Sequence, residues 1–226
     1  MIPDLGTVIA AGGSSRRYGD RDKLTELLGG LPVFLHSVRA FAPLTAPGCL
    51  IVAARPDALA EYAALKERYL PETDVTFVPG GADRTASVRN ALAALPLTSG
   101  IVAVHDAARP LATAELLERL VARARVSGGA IAASKVVDSL KKADASGRFI
   151  AAPVDRDGMF QAETPQVFDL VRFRTAYSRL GDAAPTDDAE VMRLAGFPVE
   201  LVVSGQWNFK LTSPEDMDRL RRVVRE

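Results

Sequence analysis

Cysteine is almost missing from this chain: Cys49 stands alone among 226 residues. One thiol excludes an internal disulfide framework and a thiolate zinc site. Its neighbours Leu50, Ile51 and Val52 read as a buried strand, so the thiol is expected to be inert. Histidine is nearly as scarce, and His36 and His105 alone cannot build a multi-histidine metal centre. No charge of one sign dominates, because 28 Lys and Arg residues balance 28 Asp and Glu. A surface devoted as a whole to nucleic acid or membrane is therefore not expected. Long apolar runs are lacking too; none approaches the roughly 20 residues of a membrane span. Met1-Ile2-Pro3-Asp4 carries no basic stretch, and no signal peptide is read there. These absences predict a soluble, cytoplasmic protein whose partner is small.

What is present is 48% hydrophobic, enough for one globular domain over residues 1–226. Short β-branched runs alternate with amphipathic stretches, the pattern of a layered α/β fold. Strands are expected at Thr7–Ala11, Cys49–Ala54, Val75–Val78, Ile101–His105, Ala130–Val136 and Val199–Val203. Helices are expected at Val33–Phe41, Pro56–Tyr69, Arg84–Leu95, Ala114–Val126, Asp169–Tyr177, Asp187–Ala195 and Pro214–Val224. Ser213 is placed to cap the last of these, with Pro214 at its first position. Residues 136–152 break the alternation and read as a two-stranded arm turning at Asp144-Ala145-Ser146-Gly147. Such a ribbon is marginal alone, so it packs either on a second subunit or on its own domain.

The loop after the first strand, Ala10-Ala11-Gly12-Gly13-Ser14-Ser15-Arg16-Arg17-Tyr18-Gly19-Asp20-Arg21-Asp22-Lys23, combines glycines with cations. Glycines let backbone N–H groups face an anion, and Arg and Lys supply the charge to hold it. It is not a Walker loop, since Lys23 lies between Asp22 and Leu24, and its glycine spacing is not that of a dinucleotide fingerprint. The remaining reading is a nucleotidyltransferase loop facing a triphosphate, or a basic surface loop.

Three further groups bear on this. Asp106 ends the strand Ile101–His105, where open α/β sheets bind ligands, and its carboxylate can hold Mg²⁺ or cap the next helix. His105 reads as a packed strand-end residue. Gly80-Gly81-Ala82-Asp83-Arg84-Thr85-Ala86-Ser87 opens a helix; it offers a backbone for a flat base and a hydroxyl for its edge, or only a glycine turn capped by Asp83. Asp155-Arg156, the turn-like Thr164-Pro165-Gln166, Thr186-Asp187-Asp188 and Asn208-Phe209-Lys210 are ordinary one by one, with Asp187 and Asp188 cheapest as dipole partners of a helix N-terminus.

Taken in order, these elements resemble the 2-C-methyl-D-erythritol 4-phosphate cytidylyltransferase family. His105-Asp106-Ala107-Ala108-Arg109-Pro110 and Thr164-Pro165-Gln166 carry the likeness most specifically. The resemblance implies a Rossmann-like nucleotidyltransferase fold, a mostly parallel mixed sheet flanked by helices with a β-hairpin arm. It implies CTP as co-substrate, Mg²⁺, and a homodimer exchanging arms. Arg16 and Lys23 then match the cations that stabilise the transition state, and Arg156 and Lys210 those that position the substrate phosphate. Ala10, Ala11, Gly81, Asp83 and Ser87 match the cytosine contacts, with Gly12 and Asp106 completing the CTP site and Asp106 also the metal position. Arg109, Ser139, Thr164 and Thr186 match contacts to the methylerythritol moiety. Three departures stand out: Ser14 for a second glycine, Asp22-Lys23-Leu24 for Pro-Lys-Gln, and Ser139 for threonine in the arm.

The rival substrate is ribitol 5-phosphate or a similar pentitol phosphate. The second alanine of Ala107-Ala108 and Asp138-Ser139-Leu140-Lys141 look more like the methylerythritol enzymes. A nucleotide-sugar glycosyltransferase would show Asp-x-Asp at the strand end, where this chain has Asp106-Ala107-Ala108. A non-catalytic nucleotide-binding module would have lost the loop cations, which are kept here.

Overall fold

The computed structural model describes residues 1–13, 18–19, 21–181, 183–205 and 207–224. In chain order the strands are β1 (Leu5–Ala11), β2 (Leu27–Leu28), β3 (Leu31–Pro32), β4 (Leu50–Ala54), β5 (Thr76–Pro79), β6 (Ile101–Asp106), β7 (Gly129–Lys135), β8 (Leu140–Ala143), β9 (Ile150–Val154), β10 (Phe160–Asp169) and β11 (Glu200–Val203). The helices are α1 (Val33–Phe41), α2 (Leu59–Tyr69), α3 (Arg84–Ala94), α4 (Ala114–Ser127), α5 (Leu170–Arg179), α6 (Asp188–Leu194) and α7 (Pro214–Val224). A 3₁₀ turn over Pro56–Ala58 precedes α2. Every expected strand and helix is present to within one or two residues at its ends, except that the helix expected from Pro56 opens with the 3₁₀ turn and becomes α-helical at Leu59.

Seven strands form one sheet in the order β11-β7-β10-β6-β1-β4-β5. Strand β1 lies parallel to β4 on one side and to β6 on the other. The chain therefore steps outward one way from β1 and returns to lay β6 against its opposite edge. That reversal leaves a crevice at the carboxyl ends of β1 and β6, where open α/β sheets take ligands. Both faces of β1 are covered, as its near-continuous apolar run requires. Val8 packs with Val88, Phe173 and Met192, while its neighbour Ile9 packs with Phe34, Tyr62 and Met217.

Caps set the helix ends that matter for the site. Thr113 accepts the Leu116 N–H at 3.2 Å to start α4, so Asp106 is free of the capping task. Asp83 accepts the Ala86 N–H at 2.7 Å to start α3, and Asp187 accepts the Glu190 N–H at 2.9 Å to start α6. At α7 the expected cap is reversed. The Asp216 carboxylate reaches back to the backbone N–H groups of Thr212 and Ser213, both at 2.9 Å.

Strand β10 lies outside the expected set. Thr164-Pro165-Gln166 at its centre reads as a turn, because proline removes a ladder donor. The structure accommodates it with a cis Thr164–Pro165 peptide and a register shift against β7 between Ala162 and Gln166. Beyond that shift β10 runs antiparallel to both β6 and β7, which makes the sheet mixed.

The arm is a separate ribbon in which β8 pairs antiparallel with β9. Asp144 and Gly147 close its turn, Gly147 with φ 70° and its N–H donating to the Asp144 carbonyl at 3.0 Å. Phe149 and Ile150 on the ribbon are 67% and 69% exposed. Among the described residues no helix is long and apolar enough to cross a membrane.

Candidate active site

The crevice holds a cavity of about 400 Å³ lined by three loops, one after each of β1, β5 and β6, and by Lys210. Ala10, Gly12 and Gly13 form one wall, and Gly81 to Arg84 with Ser87 form another. Lys23, Asp106 and Lys210 bring the charge. Strand-to-helix turns put these groups here because each loop leaves the sheet at the same end.

The glycine wall is fastened from within. Ser87 Oγ donates to the Asp83 carbonyl at 2.8 Å and accepts the Gly81 N–H at 3.0 Å. A Cβ on Gly81 would collide with Ala86, and one on Gly12 would approach Ser87 Oγ to 3.2 Å. Both glycines are thus needed for close packing of the walls.

Lys23 enters the cavity because Asp22 pins the chain before it. Asp22 Oδ1 accepts the Leu24 N–H at 3.0 Å, and Oδ2 accepts the Tyr62 O–H at 2.8 Å with Arg55 at 3.5 Å. The aspartate that replaces proline beside the lysine therefore has a structural task. Lys23 Nζ donates to the Leu211 carbonyl at 2.7 Å, tying the first loop to the segment before α7.

Asp106 forms the floor. Its Oδ1 faces Arg84 Nε at 3.1 Å and its Oδ2 faces Lys210 Nζ at 2.5 Å. Burial alone would raise this carboxyl, but the Arg84 and Lys210 charges outweigh it and hold it well below the usual carboxylate range. Behind it runs an ordered chain of donors. The Asp106 N–H donates to Thr164 Oγ1 at 3.0 Å, and Thr164 lies 3.1 Å from His105 Nδ1. His105 Nε2 is 3.1 Å from the Arg109 carbonyl, which can only accept, so the proton sits on Nε2 and Nδ1 accepts from Thr164. Full burial lowers the imidazole to about 4, which keeps it neutral and makes it a packed group, as expected.

The remaining expected residues are spread more widely. Ala11 is buried behind the first wall. Arg109 and Thr164 lie beneath the floor; Arg109 Nη1 donates to the Asn208 carbonyl at 2.6 Å, and Asn208 Nδ2 donates to Glu163 Oε2 and to the Thr164 carbonyl, both at 2.8 Å. Thr186 is exposed just ahead of the α6 cap. Ser139 is exposed beside the arm, and Arg156 lines a different cleft at the arm's base and donates to the Val137 carbonyl. Arg156 thus does not share the cavity with Lys23 and Lys210 within one chain. Arg16 lies outside the described residues, as does Ser14.

Two participants carried no sequence signal of their own. Arg84 Nη2 pairs with Asp188 Oδ2 at 2.7 Å, and the Tyr177 O–H donates to Asp188 Oδ1 at 2.6 Å. The Asp188 side chain is 0% exposed, so it does more than complement a helix dipole. Burial opposes the Arg84 charge, yet Asp188 and Asp106 together hold the guanidinium firmly protonated.

No cluster of three or more His, Cys, Asp or Glu side chains occurs among the described residues. A single ionised carboxylate in a phosphate-sized cavity still suits Mg²⁺, which keeps its waters and binds through one or two carboxylates plus substrate phosphates.

The family model described as 2-C-methyl-D-erythritol 4-phosphate cytidylyltransferase matches residues 5–226. The bifunctional enzyme IspD/IspF of Maricaulis maris is 40% identical over 219 residues, 96% of this chain and 56% of that protein. The 2-C-methyl-D-erythritol 4-phosphate cytidylyltransferase of Cereibacter sphaeroides is 38% identical over 219 residues, 96% and 95% of the two chains. The crystal structure of the enzyme of that name from Thermus thermophilus superposes with a TM-score of 0.81 at 29% identity, covering 99% of this chain and 100% of the other. The chain spans a little over half the length of the bifunctional relatives and nearly all of the Cereibacter protein. With a family match over residues 5–226, a shared fold and a glycine-walled, charged cavity at the strand ends, this chain belongs to the 2-C-methyl-D-erythritol 4-phosphate cytidylyltransferase family.

Proposed function

We propose that this chain transfers CMP from CTP to 2-C-methyl-D-erythritol 4-phosphate. The products are pyrophosphate and 4-diphosphocytidyl-2-C-methyl-D-erythritol, an isoprenoid precursor of the non-mevalonate pathway. The observation that carries it is the meeting of Lys23, Lys210 and Asp106 in one glycine-walled cavity. A phosphate oxygen of the acceptor attacks the α-phosphorus, a new P–O bond forms, and pyrophosphate leaves with the electron pair of the broken anhydride bond. The nucleophile is already an anion, so no general base is required, in keeping with a neutral, packed His105. Catalysis then rests on alignment and on cations around the charged phosphorus.

Lys23 faces the charge that builds at the α-phosphorus, the role the family likeness also gives to Arg16, and Lys210 orients the acceptor phosphate once it leaves Asp106. The half-exposed Lys210 side chain supports that movement. Ala10, Gly12, Gly81, Asp83 and Ser87 hold the nucleotide. Ser87 has spent its proton on Asp83 and keeps an acceptor lone pair, a match for a cytosine amino group and a mismatch for a uracil carbonyl. Asp106 would hold Mg²⁺, and the ion, when bound, would supply charge neutralisation on the phosphates.

Arg156, Ser139 and the exposed arm residues point to a homodimer, in which the arm of one copy serves the cavity of the other. Arg109, Thr164 and Thr186 complete the acceptor side. Residues 1–226 act as one cytoplasmic catalytic domain. The test is pyrophosphate release from CTP with methylerythritol phosphate, with ribitol 5-phosphate, and with no acceptor. Release with methylerythritol phosphate alone is expected. Release with ribitol phosphate alone would overturn the substrate, and CTP binding without release in any arm would overturn catalysis.

A further inference from the structure

We propose that Arg84 is a positioning residue, braced by Asp188 and Tyr177, whose task is to aim the Asp106 carboxylate into the cavity. The arrangement is a line of alternating charge through the wall of the site. The Tyr177 O–H donates to Asp188 at 2.6 Å, Asp188 pairs with Arg84 Nη2 at 2.7 Å, Arg84 Nε meets Asp106 Oδ1 at 3.1 Å, and Asp106 Oδ2 meets Lys210 at 2.5 Å.

The two cations on Asp106 are not equivalent. Arg84 is gripped at its far end by a carboxylate of 0% exposure, itself oriented by a buried tyrosine, and its side chain is 28% exposed. Lys210 is 40% exposed, and among the described residues its ammonium has no such brace. A group entering the cavity therefore displaces Lys210 and leaves Arg84 in place. One carboxylate oxygen stays fixed while the other is presented to whatever arrives. A guanidinium suits this because its rigid fork can hold two carboxylates at once, which an ammonium on a flexible stem cannot do with the same geometry. Asp188 lies far along the chain from Arg84, in the first turn of α6, so the brace joins α3 and α6 across the sheet end.

This inference rests on the cytidylyltransferase reading, and its test separates the two. The experiment is a double-mutant cycle on the full chain with Arg84→Met, Asp106→Asn and both together. It reads Mn²⁺–CTP binding by titration and, in parallel, kcat for pyrophosphate release. Arg84→Met is expected to weaken Mn²⁺–CTP binding about tenfold or more, the worth of a lost charge-assisted contact, and to add less than about twofold in the Asp106→Asn background. Losses that multiply would show Arg84 acting directly on the nucleotide and would overturn the proposal. Unchanged binding in Arg84→Met would overturn it too. Should Arg84→Met fail to fold with Asp188 left unpaired, Arg84→Met with Asp188→Asn removes both charges and enters the cycle in its place. Tyr177→Phe, which touches neither nucleotide nor Asp106, is expected to show a smaller loss of the same kind that also vanishes with Asp106→Asn. A wild-type chain that binds Mn²⁺–CTP with this coupling yet releases no pyrophosphate would sink the catalytic reading and leave the positioning role standing. Failure of the wild type to bind Mn²⁺–CTP would overturn both.

Discussion

Replacing Lys23 by methionine keeps the length and apolar body of the side chain and removes only the ammonium. In the structure that ammonium donates to the Leu211 carbonyl at 2.7 Å at the mouth of the phosphate cavity. That part-buried hydrogen bond contributes about 1 kcal/mol to folding. For a chain of this size the thermal midpoint should fall by only about 2–4 °C. The cost to catalysis is that of a preorganised charge facing the reacting phosphorus, roughly 10²–10³ in kcat, or about 3–4 kcal/mol of barrier. Pyrophosphate release at saturating CTP and methylerythritol phosphate measures the second quantity, and scanning calorimetry measures the first. A variant within about threefold of wild-type kcat would refute the placement of Lys23 at the charge being stabilised.

Other perturbations address the supports of the site. Asp22→Ala leaves the Leu24 N–H and Tyr62 O–H without their acceptor, so stability should drop by about 2 kcal/mol and kcat should fall as Lys23 loses its anchor, whereas Asp22→Asn should recover most of both. Burial lowers the pKa of His36, whose Nε2 donates to the Leu28 carbonyl at 2.9 Å, so the unfolded chain takes up its proton first and stability should decline as pH falls below the ordinary value of 6.5. His36→Gln should flatten that decline in a thermal-midpoint profile; an unaltered slope would assign it to other groups. Ile150→Glu, on a side chain 69% exposed, should leave the midpoint unchanged while sedimentation shows a homodimer giving way to monomer and turnover is lost. A fully active monomer would refute exchange of the arm.

The layered fold was legible because β1, β4 and β6 are short runs rich in β-branched residues and the helices that border the site carry capping residues that no neighbour overrides. Asp83 caps where a local reading puts it, and Thr113 and Asp187 cap their helices in the same way. Strand β10 escaped such a reading because its decisive feature is an interrupted ladder. Pro165 looks like a terminator until β7 is seen to pair on both sides of it, with β6 joining beyond it. In the site, Lys23, Asp106 and Lys210 could be singled out as charges on loops at strand ends. The partnership of Arg84 with Asp188 could not, since Asp188 also satisfies the simpler role of an acid in a first helical turn. Only burial tells the two apart. Arg156 shows the converse limit: its motif is plain in the sequence, yet a single chain holds it at the arm's base.

The cavity is finished by residues 208–211, which supply Lys210 to Asp106, a carbonyl to Lys23 and another to Arg109. A polypeptide emerging from a ribosome completes its sheet before that stretch is made. Until residue 211 is free to lie across the crevice, the growing chain has a nucleotide cradle without Lys210 and without the carbonyl that holds Lys23. Competence for chemistry thus arrives as a late event of synthesis, and a product broken off short of this point would lack Lys210 together with the buried Leu211, Met217 and Leu220.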